Sequence, residues 1–251
     1  MPLYIVSTPI GNLGDMGERA VETLRNAEVI AAEDTRHSQT LFSRYAIRAR
    51  VVSYHDHNKY ERTRELMPFL RNGKAVAVIS DAGTPGVADP AFHLVRSAIA
   101  ENLPVVPVPG ASALLAALVA SGLPTDRFVF ENFLPAKAGK RRSKLESLKE
   151  EERTVVLYES PHRILQSLDA MLEAFGDVPV VVARELTKKF ETFYRGSISA
   201  ILSALRKQGV RGEFVILFNL KHPVSAPLPE SASLSENDDT DGNENRTDDD
   251  A

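Results

Sequence analysis

Along the first 110 residues, short apolar runs rich in β-branched side chains alternate with amphipathic stretches. The runs Leu3 to Ser7, Val29 to Ala32, Val51 to Tyr54, Ala75 to Ile79 and Val105 to Val108 are the candidate strands. Between them lie helices with visible starts. Asp15 and Glu18 stand at capping-box spacing ahead of Ala20, Val21, Leu24 and Ala27, which share one face. Asp89 followed by Pro90 reads as an N-cap with proline at the first helical position, and the spacing predicts Phe92, Val95 and Ile99 on the buried side. Alternation of this kind predicts a parallel α/β sheet.

After Ser121-Gly122-Leu123-Pro124 the pattern changes. Strands are predicted at Phe128 to Phe133, Thr154 to Tyr158, Val178 to Ala183 and Gly212 to Leu220, separated by helices and one very basic loop that leads into a helix. The helix opened by Ser160-Pro161 carries Ile164, Leu165, Leu168, Met171, Leu172 and Phe175 at helical spacing, so that stripe reads as core. The reading is two α/β domains, residues 1–122 and 123–221, with no internal repeat.

Composition changes the picture in three places. The chain of 251 residues with 43% hydrophobic content can bury one sizeable core or two small ones. No apolar run approaches a membrane span and no basic region precedes the apolar start, so the expectation is a cytoplasmic protein without a membrane partner. The absence of cysteine excludes disulfides, thiolate catalysis and cysteine-based metal sites. The formal charge of -4 averages two unlike parts. Residues 222–251 hold nine Asp or Glu against one Arg, and residues 1–221 hold 29 basic and 25 acidic side chains. The acidic segment is expected to be a disordered tail, because it has too little apolar surface to offset its ordering entropy.

Three of the first-half strands run into Gly/Pro turns: Thr8-Pro9-Ile10-Gly11-Asn12, Asp81-Ala82-Gly83-Thr84-Pro85 and Pro109-Gly110-Ala111-Ser112. In a parallel sheet all strand C-termini share one edge, where ligands bind, so the turns are expected to converge on a pocket. They contain no lysine or arginine and no open nest of N–H groups, which argues against a nucleoside triphosphate. Carbonyls, a few N–H groups and small side chains suit adenine, ribose and a zwitterion. S-adenosylmethionine fits, being cationic and free of phosphate.

The segments VSTPIGNLGD, AAEDTRHS, SYHDHN, SDAGTPGVADP, VPGASALLAALVASGLPTDRF, LYESPHR, ARELTKKFE and RGEFVIL together resemble, in order and spacing, the small-subunit ribosomal RNA methyltransferase I family of the tetrapyrrole-methylase-like superfamily. The resemblance covers residues 3 to about 220. It implies two α/β domains of the tetrapyrrole methylase type, with a parallel sheet in the first and a mixed sheet in the second. It also implies transfer of a methyl group from S-adenosylmethionine to the ribose 2'-oxygen of a cytidine in the decoding region of 16S ribosomal RNA, within the small ribosomal subunit, by a homodimer. The positions matching the family's donor contacts are Pro9, Ala82, Gly83, Thr84, Val87, Ser112, Ala113, Glu159 and Leu186. One departure is visible: Asn132 in ENFLP stands where the family has glycine.

A ribose hydroxyl is protonated at neutral pH, so its alkylation needs in-line positioning and a destination for the proton. No metal is required. The polar residues at strand ends nominated for this work are Asp34, Arg36, Asp81, Glu185 and Lys188; Asp34 and Asp81 could equally be helix caps. His55-Asp56-His57 has no third ligand indicated and reads as a polar loop rather than a metal site. Lys137, Lys140, Arg141, Arg142 and Lys144 concentrate five cations within eight residues and are nominated for phosphate contact. The competing readings are a methylase of a small tetrapyrrole-like acceptor, against which the basic segment argues, and a ribosome-binding module without turnover.

Overall fold

The structure, a computed structural model, describes residues 2–224. Its first half is a five-stranded parallel sheet built from β1 (Leu3–Val6), β2 (Val29–Ala32), β3 (Arg50–Ser53), β4 (Val76–Ile79) and β5 (Val105–Val108), in the order β3-β2-β4-β1-β5. Helices α1 (Glu18–Asn26) and α2 (Ser38–Arg44) cover one face, and α3 (Lys59–Arg71) and α4 (Ala91–Ala100) cover the other. Both faces are therefore dry, which is why these strands carry no polar alternation. Neighbouring β1 and β4 send their following helices to opposite faces. This is the topology that opens a crevice at the strand C-termini.

Helix α5 (Ala113–Val119) leads into the second sheet: β6 (Phe128–Phe133), β7 (Thr154–Glu159), β8 (Pro179–Arg184), β9 (Thr192–Ser197) and β10 (Phe214–Phe218), in the order β6-β7-β10-β8-β9. Only β6 and β7 run parallel; the other pairs are antiparallel, so the sheet is mixed. Helices α6 (Ala138–Ser147), α7 (Ile164–Phe175) and α8 (Ile198–Gln208) close one face over Leu145, Leu148, Ile164, Leu168, Met171, Ile201 and Leu205. The other face meets α5: Ala117 and Leu118 pack with Val156, Val181, Val215 and Leu217, together with Ile10 and Leu186. This shared cluster fixes the two sheets relative to one another.

Four expectations need correction. On α4 the buried residues are Ala91, Leu94 and Ala98, whereas Phe92 and Ile99 are 64% and 59% exposed. The two stripes differ by one residue and have the same i, i+3, i+7 spacing, so periodicity alone could not choose between them. Close packing of α4 against α3 selects the small residues. Asp15 belongs to a short 3-10 turn, Leu13–Asp15, that Asn12 caps, and α1 starts at Glu18 after an extended Gly17 without a side-chain cap. The strand Thr192–Ser197 was not foreseen. Finally, Val224 is buried in the shared cluster, so the packed part of the chain runs past residue 221; the acidic run beyond it lies outside the described residues.

Candidate active site

The turns after β1 and β4 are joined by reciprocal main-chain hydrogen bonds, Thr8 N–H to the Gly83 carbonyl at 2.9 Å and Gly83 N–H to the Thr8 carbonyl at 3.0 Å. Ser7 Oγ and Thr84 Oγ1 share a hydrogen bond of 2.9 Å, and Thr84 also donates to the Ala111 carbonyl at 3.1 Å, which brings in the turn after β5. All three turns thus meet at one place.

The joined turns form a ridge with a cavity on either side. The first, about 360 Å³, lies toward the second sheet and is lined from the first half by Ile10, Ala82, Gly83, Thr84, Val87, Ser112 and Ala113. From the second half it takes Phe133, Tyr158 to Pro161, Leu186 and Glu213 to Val215. Its size lies within the range of small-molecule sites, roughly 300–1,000 Å³. Among the described residues the lining includes Glu159 and Glu213 and no Lys, Arg or His. The second cavity, about 670 Å³, is lined by Thr8, Pro9, Gly11, Asp34, Arg36, His37, Ser80 and Asp81 among others. Consecutive residues therefore serve different cavities, Pro9 against Ile10 and Asp81 against Ala82.

Of the residues matched to donor contacts, Ala82, Gly83, Thr84, Val87, Ser112, Ala113, Glu159 and Leu186 line the first cavity, and Pro9 lines the second. The Glu159 carboxylate is fully buried and already engaged by its own neighbours. It accepts from Ser160 N–H at 2.9 Å and from the Ser167 hydroxyl, with Arg163 Nε at 3.7 Å. Tyr158 Oη accepts from Leu114 N–H at 3.2 Å, tying the start of α5 to β7. Burial pushes the Tyr158 phenol up. Ile10, Phe133, Tyr158 and Glu213 were not nominated, although Ile10, Tyr158 and Glu213 lie inside segments that carried the resemblance.

The five polar nominees fall into two groups. Asp34, Arg36 and Asp81 gather on the second cavity: Asp34 N–H donates to Asp81 Oδ1 at 2.9 Å, and Asp34 accepts from Arg36 N–H at 2.8 Å and pairs with its guanidinium at 3.3 Å. The hydrogen bonds from Arg36 hold the exposed Asp34 carboxyl below its usual range. Glu33 joins this group, receiving the Asp81 N–H at 3.4 Å. Burial first, then the Asp81 charge, pushes Glu33 up.

Glu185 and Lys188 form the other group, paired at 2.8 Å, with Glu213 Oε2 also 2.9 Å from Lys188 Nζ. Burial raises Glu185, but the ammonium of Lys188 and the Glu213 N–H outweigh it and leave the carboxyl low. Burial likewise opposes the charge on Lys188, and its two carboxylate partners prevail and raise it. The backbone must come very close to hold this pair. A Cβ on Gly11 would sit 2.5 Å from Lys188 Cγ, and one on Gly212 2.5 Å from the Glu185 side chain, at φ of +149° and +89°. Asn12 N–H donates to Thr187 Oγ1 at 3.2 Å, so the ridge of the first half is pinned to this segment of the second.

The basic segment is not a loop but the start of α6, with Lys137 at its N-cap. Lys137, Lys140 and Arg142 are exposed. Arg141 is 9% exposed and donates to the Pro135 and Ala136 carbonyls, and Lys144 pairs with Glu131. Two of the five nominated cations are thus engaged within the protein, Arg141 as a buried strut. Asn132, the departure from glycine, has φ of +58° and its own Oδ1 accepts the Phe133 N–H at 3.0 Å. Asparagine is the side chain best suited to replace glycine there.

Residues 2–202 match the family of tetrapyrrole (corrin/porphyrin) methylases. The chain is 48% identical over 226 residues to a ribosomal RNA small subunit methyltransferase I from Synechocystis sp., covering 90% of this chain and 81% of the relative. It is 50% identical over 218 residues to the protein of the same name from Pseudomonas aeruginosa, covering 86% and 77%. In fold it resembles the solved structure of a cobalamin biosynthetic enzyme, cobalt precorrin-4 methyltransferase. That match has a TM-score of 0.65 at 21% identity and covers 86% of this chain and 93% of that one.

Proposed function

Because the chain belongs to the ribosomal RNA small subunit methyltransferase I family, we propose that it methylates 16S ribosomal RNA, using S-adenosylmethionine to alkylate the ribose 2'-oxygen of a cytidine in the decoding region. The observation that carries the donor assignment is the lining of the first cavity. Three turns and the second sheet enclose a space whose lining, among the described residues, has no cationic side chain, and its two glutamates are already engaged by Ser160, Ser167 and Lys188, so the lining disfavours phosphate and offers main chain, small side chains and an apolar wall to a phosphate-free donor. When bound, the donor supplies a methyl group on a positively charged sulfur. The protein's own work is then to place the acceptor oxygen in line, exclude water and receive a proton.

The residues divide these tasks. Ala82, Gly83, Thr84, Ser112 and Ala113 present main chain and small side chains that let a ligand approach closely. Leu186, Phe214 and Val215 supply an apolar wall. Since Asp81 and Ala82 are consecutive and face different cavities, a hydroxyl over the ridge adjoins both the donor cavity and the carboxylates of Asp34 and Asp81. Those carboxylates, with Glu33 beside them, are the proposed destination of the hydroxyl proton, and Arg36 is exposed next to them for a phosphate of the RNA. Glu185 and Lys188 act at one remove, holding Gly11 and hence the ridge.

The test is incubation of the protein with methyl-labelled donor and either unmodified small ribosomal subunits or naked 16S RNA. Alkali cleaves RNA through the free 2'-hydroxyl, so the expected product is label in an alkali-resistant dinucleotide whose 5' nucleotide is the modified cytidine. Label in a mononucleotide means base methylation and overturns the ribose assignment; no label in either RNA overturns the rRNA reading.

A further inference from the structure

Phe133 is the last residue of β6 and lies on the rim of the donor cavity with 47% of its surface exposed. The backbone is built to put it there. Between Phe130 and Phe133 the pairing with β7 shifts by one residue, from Phe130 opposite Val156 to Phe133 opposite Tyr158. Bulges of this kind re-aim a side chain. The extra residue, with Asn132 in the left-handed region, brings both phenylalanines against one tyrosine: Phe130 and Phe133 meet the Tyr158 ring edge-on at 4.8 and 5.9 Å between centroids. Phe130 and Tyr158 pack against the shared cluster, whereas Phe133 stays exposed.

The chain after Phe133 is held as firmly. Leu134 is buried, its carbonyl accepts from Arg163, and Arg141 holds the next two carbonyls. The exposed cations follow at once, Lys137 lying only four residues on, a span of at most about 14 Å even in extended chain. An exposed aromatic ring followed within a few residues of chain by free cations is an arrangement that takes up an unstacked base and its flanking phosphates.

Resting on the rRNA methylation reading above, we propose that Phe133 is the stacking platform for the base of the nucleotide that receives the methyl group. A nucleotide turned out of its helix can carry its 2'-hydroxyl into a cavity between the two sheets, and the base so released gains stacking on a flat apolar partner. Phe133 supplies it at the rim of the cavity, while the turns and Leu186 line the interior. Stacking of this type tolerates any base, so Phe133 holds the nucleotide and leaves its identity to other contacts.

The experiment compares wild type with Phe133→Ala, Phe133→Leu and Phe133→Tyr, measuring methyl transfer to unmodified small subunits and naked 16S RNA, donor affinity by calorimetry, and thermal stability. Phe133→Ala is expected to lower kcat/KM for RNA on the order of ten- to a hundredfold, with donor affinity unchanged within about twofold. Phe133→Leu is expected to share most of the loss and Phe133→Tyr to retain activity. Loss of donor affinity in parallel with activity would assign the ring to the donor and overturn the proposal, as would a leucine variant as active as wild type. A fall in melting temperature shared by the leucine and alanine variants and matching their activity loss would make Phe133 merely structural. Wild-type protein that labels neither RNA removes the rRNA reading and this proposal with it, an outcome distinct from a silent Phe133 substitution in an active enzyme.

Discussion

Lys188 shows how much a single side chain does here that no sequence pattern announces. Its ammonium joins Glu185 and Glu213, its stem lies under Gly11, and the adjacent Thr187 receives Asn12, so one residue links β8, the approach to β10 and the ridge between the cavities. Lys188→Ala is expected to cost about 1–3 kcal/mol near neutral pH, because it strips a half-buried carboxylate of its cation. The lowered Glu185 carboxyl contributes stability that is present above its unfolded value and lost as pH falls through its lower folded one. The raised Lys188 contributes stability that is present below its unfolded value and lost as pH rises through its higher folded one. The difference between variant and wild type should therefore be full between about pH 5 and 10 and shrink on either side. Urea unfolding at pH 3.5 and pH 7 checks this, and an equal difference at both would remove the ion pair from the explanation. Glu185 and Lys188 were legible as polar residues ending an apolar strand. Their separation from Asp34 and Asp81 was not, because it depends on which side of the ridge each strand end emerges.

At the scale of elements, the parallel strands of the first sheet were legible because burial on both faces leaves continuous apolar runs. Strand β9 was not, since Thr192-Phe193-Tyr194-Arg195-Gly196-Ser197 is a partly covered edge with a glycine and an arginine in it. The inward stripe of α4 was hidden by the ambiguity of equal spacing. Helix α6 carried a plain compositional signal, yet composition could not separate its free cations from the buried strut. The two kinds of residue should now part experimentally. Replacing Lys137, Lys140 and Arg142 together by Ala is expected to weaken RNA binding and reduce the slope of log affinity against log salt by about 2 to 3, leaving the melting temperature nearly unchanged. Arg141→Ala should instead lower the melting temperature, since it frees the Pro135 and Ala136 carbonyls and leaves a gap beneath α6. An unchanged salt slope in the triple variant would take α6 out of the RNA contact.

For the molecule as a whole, the decisive feature is that neither sheet holds the first cavity alone. The first half contributes rigid turns with small side chains, and the second contributes Phe133, Tyr158, Leu186 and the start of β10. The packing of α5 on the second sheet, through Ala117 and Leu118, holds the two walls at a fixed distance. The convergence of three turns could be read from the sequence, because parallel strands share an edge. The division into two cavities could not, because it arises from the pairing of Thr8 with Gly83 across 75 residues of chain. If the first cavity takes a cationic, phosphate-free donor, calorimetric titration of the full chain with S-adenosylmethionine should give one site per chain, ATP should give no heat, and Ala113→Phe, which fills the cavity, should abolish the S-adenosylmethionine signal while the melting temperature stays within a few degrees. Binding of ATP in place of S-adenosylmethionine, or undiminished S-adenosylmethionine binding by Ala113→Phe, would contradict that assignment.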